Sequence, residues 1–431
     1  MLDVSLLAGT LPAVVLVVAG LGAAFLLASP GRRRWTRVLP AVLVGAAAAT
    51  ALVAVVVDRL WRPFPDPLPM RVLVAIGAAF AALALATAGW WRYRWVGRAV
   101  GVLAAVAVLL GAAQSVNAYY RSYPTLRTAL RLPPADQVAF ADIPTQAPLV
   151  VAARGRPLDA AWTPPPDMPD TGAVTQVDLP GVASGFPARQ AWLYLPPAYL
   201  ASPRAELPVL VLLAGQPGEP RNWFDGGMLA ARMDAYAADH NGLAPVVVVP
   251  DILGSTTANP LCLDSRLGNV ATYLRVDVPT WIRAHLKVNP DPRTWAIGGL
   301  SAGGTCSLQM AVNAPHDYPT FVDISGQDEP TLGDRGRTVQ AAFGGDDAAF
   351  AAVNPLDVLA VTRFPDSAGL LVAGADDPRY LPQAQRVRDA AAAAGIDVRL
   401  TVLPGGHAFD VWGPGLSEAL PWLGTRLGLT S

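Results

Sequence analysis

Residues 295–305, W-A-I-G-G-L-S-A-G-G-T, join an apolar run to a glycine-rich turn and decide the fold of the second half of the chain. The apolar residues Trp295 to Gly298 predict a buried strand, and Thr305 to Asn313 predict a helix after the turn. Between them lies G-x-S-x-G at Gly299 to Gly303, where a tight, strained turn needs small neighbours. The pattern predicts Ser301 as a nucleophile, with a plain glycine-rich turn as the alternative.

Predicted strands and helices alternate on both sides of this turn. The first two strands are expected to be antiparallel, and the alternation that follows predicts a mainly parallel sheet covered by helices on both faces, an α/β domain over residues 173–431. Predicted strands are 174–179, 190–195, 209–213, 246–249, 295–298, 321–324, 369–373 and 398–403, and further helices are 272–285 and 383–394.

A nucleophilic serine needs an imidazole to take its proton, and the chain has only four histidines. His407 lies in a glycine-rich loop after the last predicted strand, which matches the chain order serine, acid, histidine. His240, His285 and His316 lie near predicted helix ends, where capping or solvent exposure is expected. His407 is therefore the predicted base, and a surface histidine is the alternative.

The acid that orients the histidine should follow a strand between Ser301 and His407. Asp376 and Asp377 both follow the predicted strand that ends at Ala373. We prefer Asp377, keep Asp376 as the alternative acid, and regard Asp328 as a minor candidate.

An oxyanion hole needs backbone N–H donors beside the nucleophile. Ala302, directly after Ser301, is the first predicted donor. The second is Gln216 in the loop 215–218, because Pro217 has no N–H. A simple turn at residues 215–218 is the alternative.

The chain has two cysteines, Cys262 and Cys306, both in the predicted α/β domain. Outside the cytoplasm they could form a disulfide, and two buried thiols are the alternative. No group of histidines, cysteines and carboxylates has metal-ligand spacing, and no nucleotide-binding glycine motif occurs. We therefore expect no metal, nucleotide or flavin cofactor.

The first part of the chain has the composition of a membrane domain. The chain is 52% hydrophobic and only 15% charged, whereas soluble domains have about a quarter of their residues charged. Apolar runs near the ~20 residues needed to cross a bilayer lie at about 6–28, 38–57, 71–90 and 99–116. We predict a four-helix transmembrane domain over residues 1–116 and a proline-rich linker over 117–172.

The arginines between these runs predict how the chain crosses the membrane. A signal peptide is disfavoured because basic residues follow the first run. Loops one and three should be cytoplasmic, which places the α/β domain on the extracytoplasmic side. Spans without central ionisable residues suggest an anchor, and the net charge of -1 gives no reason to expect nucleic acid. The arginines are Arg32, Arg33, Arg34 and Arg37 in loop one, and Arg92, Arg94 and Arg98 in loop three.

Five segments of the second half resemble the putative-esterase family of α/β-hydrolases, which includes esterase D-like enzymes and secreted bacterial mycolyltransferases. The resemblance covers about residues 173–428 and implies an α/β-hydrolase fold, with Ser301 as nucleophile, His407 as base, and Gln216 and Ala302 as oxyanion donors. Mycolyltransferase-like members have a glutamate as acid, where this chain has paired aspartates. The segments are 189–197 (R-Q-A-W-L-Y-L-P-P), 207–218, 273–282 (Y-L-R-V-D-V-P-T-W-I), 299–304 (G-L-S-A-G-G) and 405–412 (G-G-H-A-F-D-V-W).

Together these patterns predict a membrane-anchored, extracytoplasmic serine esterase acting through an acyl-enzyme on Ser301. Its partners would be the membrane and an ester-bearing small molecule or envelope lipid. One alternative is an acyltransferase that moves an acyl chain to an envelope glycan or lipid. Another is a membrane-tethered binding module without activity, which a complete serine, aspartate and histidine set disfavours.

Overall fold

A computed structural model describes residues 2–28, 34–64, 66–91, 93–144, 147–153 and 155–431. The chain divides into two compact units, Met1–Leu132 and Pro133–Ser431. The prediction of orientation rests partly on Arg32, Arg33, Arg92 and the side chain of Arg34, which lie outside the described residues.

The first unit is helical. Its elements are α1 Thr10–Leu27, α2 Leu39–Val55, α3 Met70–Gly89, α4 Trp95–Tyr120 and the short α5 Leu126–Ala129. π-helical turns extend α2 at both ends, so that this helix runs over Trp35–Trp61. Among the described residues, α1, the extended α2, α3 and α4 are long and apolar enough to cross a membrane by length and composition.

The start of α1 and the end of α4 differ from the ends of the predicted spans, and polar side chains bond to the backbone at both places. α4 continues to Tyr120, beyond the predicted end at 116. The side-chain amide of Asn117 bonds the backbone of Tyr123, donating to its carbonyl and accepting from its N–H. Gln114 donates to the carbonyl of Leu6 at 2.6 Å, and the N–H of Leu6 donates to the carbonyl of Pro124. These bonds hold residues before Thr10 in a non-helical segment beside the end of α4.

The second unit is built on a sheet of eight strands in the order β12-β11-β10-β9-β5-β6-β3-β2. β2 and β3 are antiparallel, β3 also runs antiparallel to β6, and all other pairs in this sheet are parallel. This confirms the predicted mainly parallel sheet. The strands are β1 Leu149–Val150, β2 Ala173–Val177, β3 Ala191–Leu195, β4 Arg204–Ala205, β5 Val209–Leu213, β6 Val246–Val249, β7 Asp264–Ser265, β8 Gly268–Asn269, β9 Trp295–Leu300, β10 Thr320–Ile324, β11 Ala368–Gly374 and β12 Asp397–Leu403.

The central strands are buried on both faces, because helices cover a parallel sheet on each side. Every residue of β5, β9, β10 and β11 is buried, and in β10 this includes the polar residues Thr320 and Asp323. The covering helices are α6 Pro197–Leu200, α7 Leu229–Asp239, α8 Val270–Thr272, α9 Val278–His285, α10 Ala302–Asn313, α11 Arg335–Phe343, α12 Asp347–Ala351, α13 Pro355–Val361, α14 Tyr380–Ala393 and α15 Phe409–Arg426.

The segment 117–172, predicted as a loose linker, differs in the structure. It begins inside α4, and from Pro133 onward it belongs to the second unit. Leu158 and Trp162 are only 2% and 6% exposed, and the Trp162 indole donates to the carbonyl of Asn241 at 2.9 Å. The prolines prevent regular structure here, but the apolar side chains between them still gain by burial against the core of the second unit.

Candidate active site

Ser301 lies at the sharp turn between β9 and α10. Its φ of 52° is in the left-handed region, and its N–H donates to the carbonyl of Ile324 at 2.8 Å. A Cβ at Gly299 would overlap the Gly303 carbonyl, and a Cβ at Gly303 would overlap the carbonyl of Leu213. The two glycines of the motif are therefore required by close backbone approach, and they leave the Ser301 side chain at the end of the strand.

The structure brings Ser301, His407 and Asp377 together. His407 Nε2 lies 2.9 Å from Ser301 Oγ, and His407 Nδ1 lies 3.0 Å from Asp377 Oδ2. The three residues follow β9, β12 and β11, whose carboxyl ends lie at one edge of the parallel sheet. In this arrangement the imidazole can accept the serine proton while the carboxylate orients its other nitrogen.

Burial and hydrogen bonding distinguish Asp377 from the other candidate acids, Asp376 and Asp328. Asp377 is 4% exposed, and its Oδ1 accepts the N–H groups of Tyr380 at 3.0 Å and Arg379 at 3.2 Å. Asp376 is exposed, and Asp328 is paired with Arg386. Burial by itself would raise the pKa of Asp377, but the hydrogen bond and charge of His407 and the two backbone donors together lower it. Asp377 is therefore held as a carboxylate.

Two aromatic rings pack on the imidazole. Tyr380 stacks on His407 with ring centroids 3.8 Å apart, and Trp412 approaches edge-on at 5.0 Å. Because Tyr380 also donates its backbone N–H to Asp377, one residue contacts both the base and the acid. Trp412 belongs to the quoted segment 405–412, but nothing in the sequence marked Tyr380.

The loop 215–218 runs directly beside the nucleophile. A Cβ added at Gly215 would lie 3.3 Å from Ser301 Cβ. The side chain of Gln216 donates to the carbonyl of Thr257 at 2.9 Å, which attaches the loop to the segment after β6. Ala302 is the first residue of α10, where backbone N–H groups have no acceptor within the helix. The two predicted oxyanion donors therefore lie on elements that border Ser301.

An ion pair between the partly exposed Arg189 and the buried Asp251, which sequence reasoning missed, holds this loop in place. Arg189 donates to Asp251 through Nε at 2.9 Å and Nη2 at 2.7 Å, and the same Nη2 donates to the carbonyl of Gly218 at 2.9 Å. Asp251 also accepts the N–H groups of Leu253 and Gly254. The position of Asp251 just after a buried strand could have indicated its role, since carboxylates at the carboxyl ends of strands often belong to a site.

Asp323 is a second buried carboxyl near the nucleophile that the sequence did not indicate. It lies on β10, and its Oδ1 accepts the N–H of Gly326 at 2.8 Å. Burial raises its pKa to about 7, and the bond from Gly326 opposes that rise. A Cβ at Gly304 would overlap the same oxygen. The side chain therefore packs under the first turn of α10. Because this carboxyl protonates near neutral pH, burying it does not require burying a full negative charge.

Cys262 and Cys306 form a disulfide with their Cα atoms 5.5 Å apart. The bond joins the long loop after β6 to α10, and both residues are buried. Leu261 and Cys262 also line a small cavity of about 20 Å³ beside Ala302 and Thr305. The disulfide thus holds one wall of a space next to the nucleophile's helix.

The remaining histidines lie away from this cluster. His240 and His285 each place Nδ1 within 2.8 Å of a carbonyl four residues earlier, and His316 is exposed. Across the described part of the chain, no three histidine, cysteine or carboxylate side chains are grouped so that they could hold a metal ion.

Comparisons with known proteins place this geometry in a family. The family described as "Putative esterase" matches residues 188–423. An uncharacterized protein of Corynebacterium glutamicum is 38% identical over 408 residues, which are 92% of this chain and 91% of that protein.

Solved structures are similar to part of this chain. A ferulic acid esterase is 17% identical with a TM-score of 0.52, and the match covers 61% of this chain and 100% of that one. An S-formylglutathione hydrolase from Agrobacterium tumefaciens is 18% identical with a TM-score of 0.49, covering 61% of this chain and 98% of that one. At such low identity the likeness to the first of these shows the α/β-hydrolase fold alone. Because the family match spans more than half of the chain, the protein belongs to the putative esterase family and is an ester-cleaving serine hydrolase.

Proposed function

We propose that the protein is a membrane-anchored serine esterase that hydrolyses a carboxylic ester through an acyl-enzyme on Ser301. The observation that carries the proposal is the continuous hydrogen-bonded chain from Ser301 Oγ through both nitrogens of His407 to Asp377, at 2.9 and 3.0 Å. A serine hydroxyl alone is a weak nucleophile, and this chain supplies the base and the orienting carboxylate that it needs.

Acylation starts when His407 Nε2 takes the proton of Ser301 Oγ as this oxygen bonds to the ester carbonyl carbon. The carbonyl oxygen becomes an oxyanion, which the N–H groups of Ala302 and Gln216 would stabilise. The ester C–O bond then breaks, and the imidazolium gives its proton to the departing alkoxide, releasing the alcohol. Asp377 stays ionised throughout and stabilises the imidazolium.

Deacylation repeats these steps with water as the nucleophile. His407 takes a proton from the water while its oxygen bonds to the acyl carbon of the acyl-enzyme. The second tetrahedral intermediate expels Ser301 Oγ, which recovers a proton from the imidazolium, and the carboxylic acid leaves. The enzyme returns to its starting state without a cofactor in any step.

The proposed location is the cell membrane, with the hydrolase unit outside the cytoplasm. Four long apolar helices support membrane insertion, and the arginines of loops one and three favour a cytoplasmic position for those loops. One further span, the fourth, follows loop three, so the second unit would lie on the side of the membrane opposite to loops one and three. The disulfide between Cys262 and Cys306 agrees with an oxidising compartment.

Acyl transfer to an envelope glycan or lipid is the second candidate. It uses the same acyl-enzyme and differs only in the hydroxyl that accepts the acyl group. The apolar helices favour it because a membrane anchor keeps the enzyme near lipid hydroxyl groups. Product analysis in the presence of an alcohol acceptor separates a new ester from a free acid.

The test uses the full chain purified in detergent and p-nitrophenyl esters of graded acyl length. We expect Ser301→Ala to lower kcat by as much as about 10⁶-fold, the scale of removing the nucleophile in serine hydrolases. Ser255→Ala removes an exposed hydroxyl and should keep full activity. Equal rates in wild type and Ser301→Ala, with native circular dichroism in both, would contradict the serine mechanism and support the binding-module alternative.

A further inference from the structure

A groove of about 430 Å³ lies among three helices of the first unit. α1 contributes Phe25 and Leu26, α3 contributes Leu85 and its neighbours, and α4 lines the groove from Arg98 to Leu109. The volume is within the range of small-molecule sites in proteins. From Arg98 to Leu109 the groove follows α4 for about 16 Å, at the rise per residue of an α-helix.

The groove is open space over a buried glycine, which sets it apart from the helix packing nearby. A Cβ at Gly111 would overlap Ala19, and one at Gly22 would lie 2.7 Å from the carbonyl oxygen of Ala104. These small residues allow α1 and α4 to approach closely, as in other membrane bundles. Gly101 is buried too, but a Cβ there would meet no heavy atom of the described residues within 4 Å. Small residues near Gly101 therefore border a space instead of another helix.

A cation lies at one end of this apolar groove. Arg98 lines it, donating through Nε to the carbonyl of Trp90 at 2.8 Å and lying 5.3 Å from the centre of the Trp90 ring. Within the described chain, no carboxylate forms an ion pair with Arg98. Trp90 and Trp91 also line the groove, and tryptophans are typical of the level of lipid headgroups.

We propose that the groove binds an anionic phospholipid, with one acyl chain along α4 over Gly101 and the phosphate beside Arg98. The ligand must be amphiphilic because the site combines a long apolar floor with a single cation at the interface. Basic pockets between transmembrane helices are known to bind anionic headgroups, and one arginine near the surface favours such a lipid about fivefold. The proposal depends on the proposed membrane location of the first unit and extends beyond its ester chemistry.

The first test measures lipid retention by the full chain in native mass spectrometry, with phosphatidylglycerol and phosphatidylcholine supplied in equal amounts. Wild type should retain one phosphatidylglycerol with about fivefold preference. Arg98→Gln should abolish the preference, whereas Arg94→Gln, which removes an exposed charge from the same end of α4, should keep it. Equal retention of both lipids by wild type, or an unchanged preference in Arg98→Gln, would overturn the proposal.

The second test fills the groove. Gly101→Leu should lower retention of the bound lipid at least about tenfold, because the new side chain occupies the acyl-chain space. Gly20→Leu is the matched control, since Gly20 is exposed on α1 and also faces open space. Retention by Gly101→Leu equal to that of wild type would show that the lipid binds elsewhere and would overturn the proposal.

Separate measurements keep this proposal distinct from the proposed function. Alkaline carbonate extraction reports membrane anchoring, and p-nitrophenyl ester hydrolysis reports the active site. Arg98→Gln and Gly101→Leu should resist carbonate extraction as wild type does, and both variants should hydrolyse esters at the wild-type rate. A loss of lipid preference with full ester hydrolysis therefore supports the groove alone, and a failure of Ser301→Ala to lose activity bears on the esterase alone.

Discussion

The two units use similar apolar residues for opposite purposes. In the second unit every residue of β5 and β9 is buried against neighbouring strands and helices. In the first unit only 6% of the most apolar window of Trp35–Trp61 is buried, and even in α4 the share is 39%. Hydrophobicity alone therefore does not indicate a protein core. Length distinguishes the cases, since a buried strand needs about five residues and a spanning helix about twenty.

The units also differ in where their polar groups lie. In the first unit, Gln114 and Asn117 bond to backbone groups near a helix end. In the second unit, buried polar side chains converge on one edge of the sheet, where Ser301, His407 and Asp377 meet. The first unit therefore has a surface suited to lipid, and the second unit contains the side chains of the candidate active site.

After the loss of the nucleophile in Ser301→Ala, the next largest effect expected in the second unit is that of Asp377→Asn. The amide no longer stabilises the imidazolium and favours the wrong tautomer of His407, so that kcat should fall about 10⁴-fold. Asp376→Asn, one residue earlier and exposed, should change kcat less than about twofold. Asp3→Asn, which breaks an exposed pair with Arg127 in the first unit, should likewise leave the rate unchanged. A large loss in the Asp3 variant would show that the first unit takes part in catalysis.

A smaller effect, on stability, compares two tryptophans. Trp162→Ala removes a 6% exposed side chain from the segment after Pro133 and should lower the free energy of unfolding of the hydrolase unit by about 3–5 kcal/mol. Trp95→Ala removes a 76% exposed ring in the first unit and should change it by less than about 0.5 kcal/mol. Guanidinium unfolding of the full chain in detergent, followed by esterase activity, measures both. A Trp162 variant as stable as wild type would mean that residues 133–172 are only a linker.

The smallest effect concerns the ring on the base. Tyr380→Leu removes an aromatic contact worth about 0.5–1.5 kcal/mol, so that kcat should fall at most about tenfold. Because the Tyr380 ring is buried and stacks on His407, we expect KM to stay constant. Tyr380→Phe keeps the ring and should restore kcat, whereas a purely structural role would lower stability in the leucine variant without this split. Steady-state kinetics on one p-nitrophenyl ester distinguish the two results.

The fold was largely predictable because its signals are local. The predicted strands 209–213 and 246–249 coincide with β5 and β6, and 321–324 and 369–373 each differ by one residue at either end or both. Runs of valine, leucine and isoleucine of strand length between helical segments have few other solutions. Local patterns did not predict the π-helical turn Tyr273–Asp277 or the extension of α4 to Tyr120. Both regions bond to residues distant in the chain: Tyr318 donates to the carbonyl of Leu274, and Gln114 donates to the carbonyl of Leu6.

Hydropathy, run length and glycine spacing were enough to predict the two kinds of unit and the turn that presents Ser301. They also predicted the order of nucleophile, acid and base along the chain, from Ser301 to His407. The three-dimensional structure was needed to show which aspartate contacts His407, because Asp376 and Asp377 have the same side chain and adjacent positions. It also decided the packing of residues 133–172, the stacking of Tyr380 and the Arg189–Asp251 pair. Each of these depends on burial and on partners from separate elements, which come together only when the chain folds.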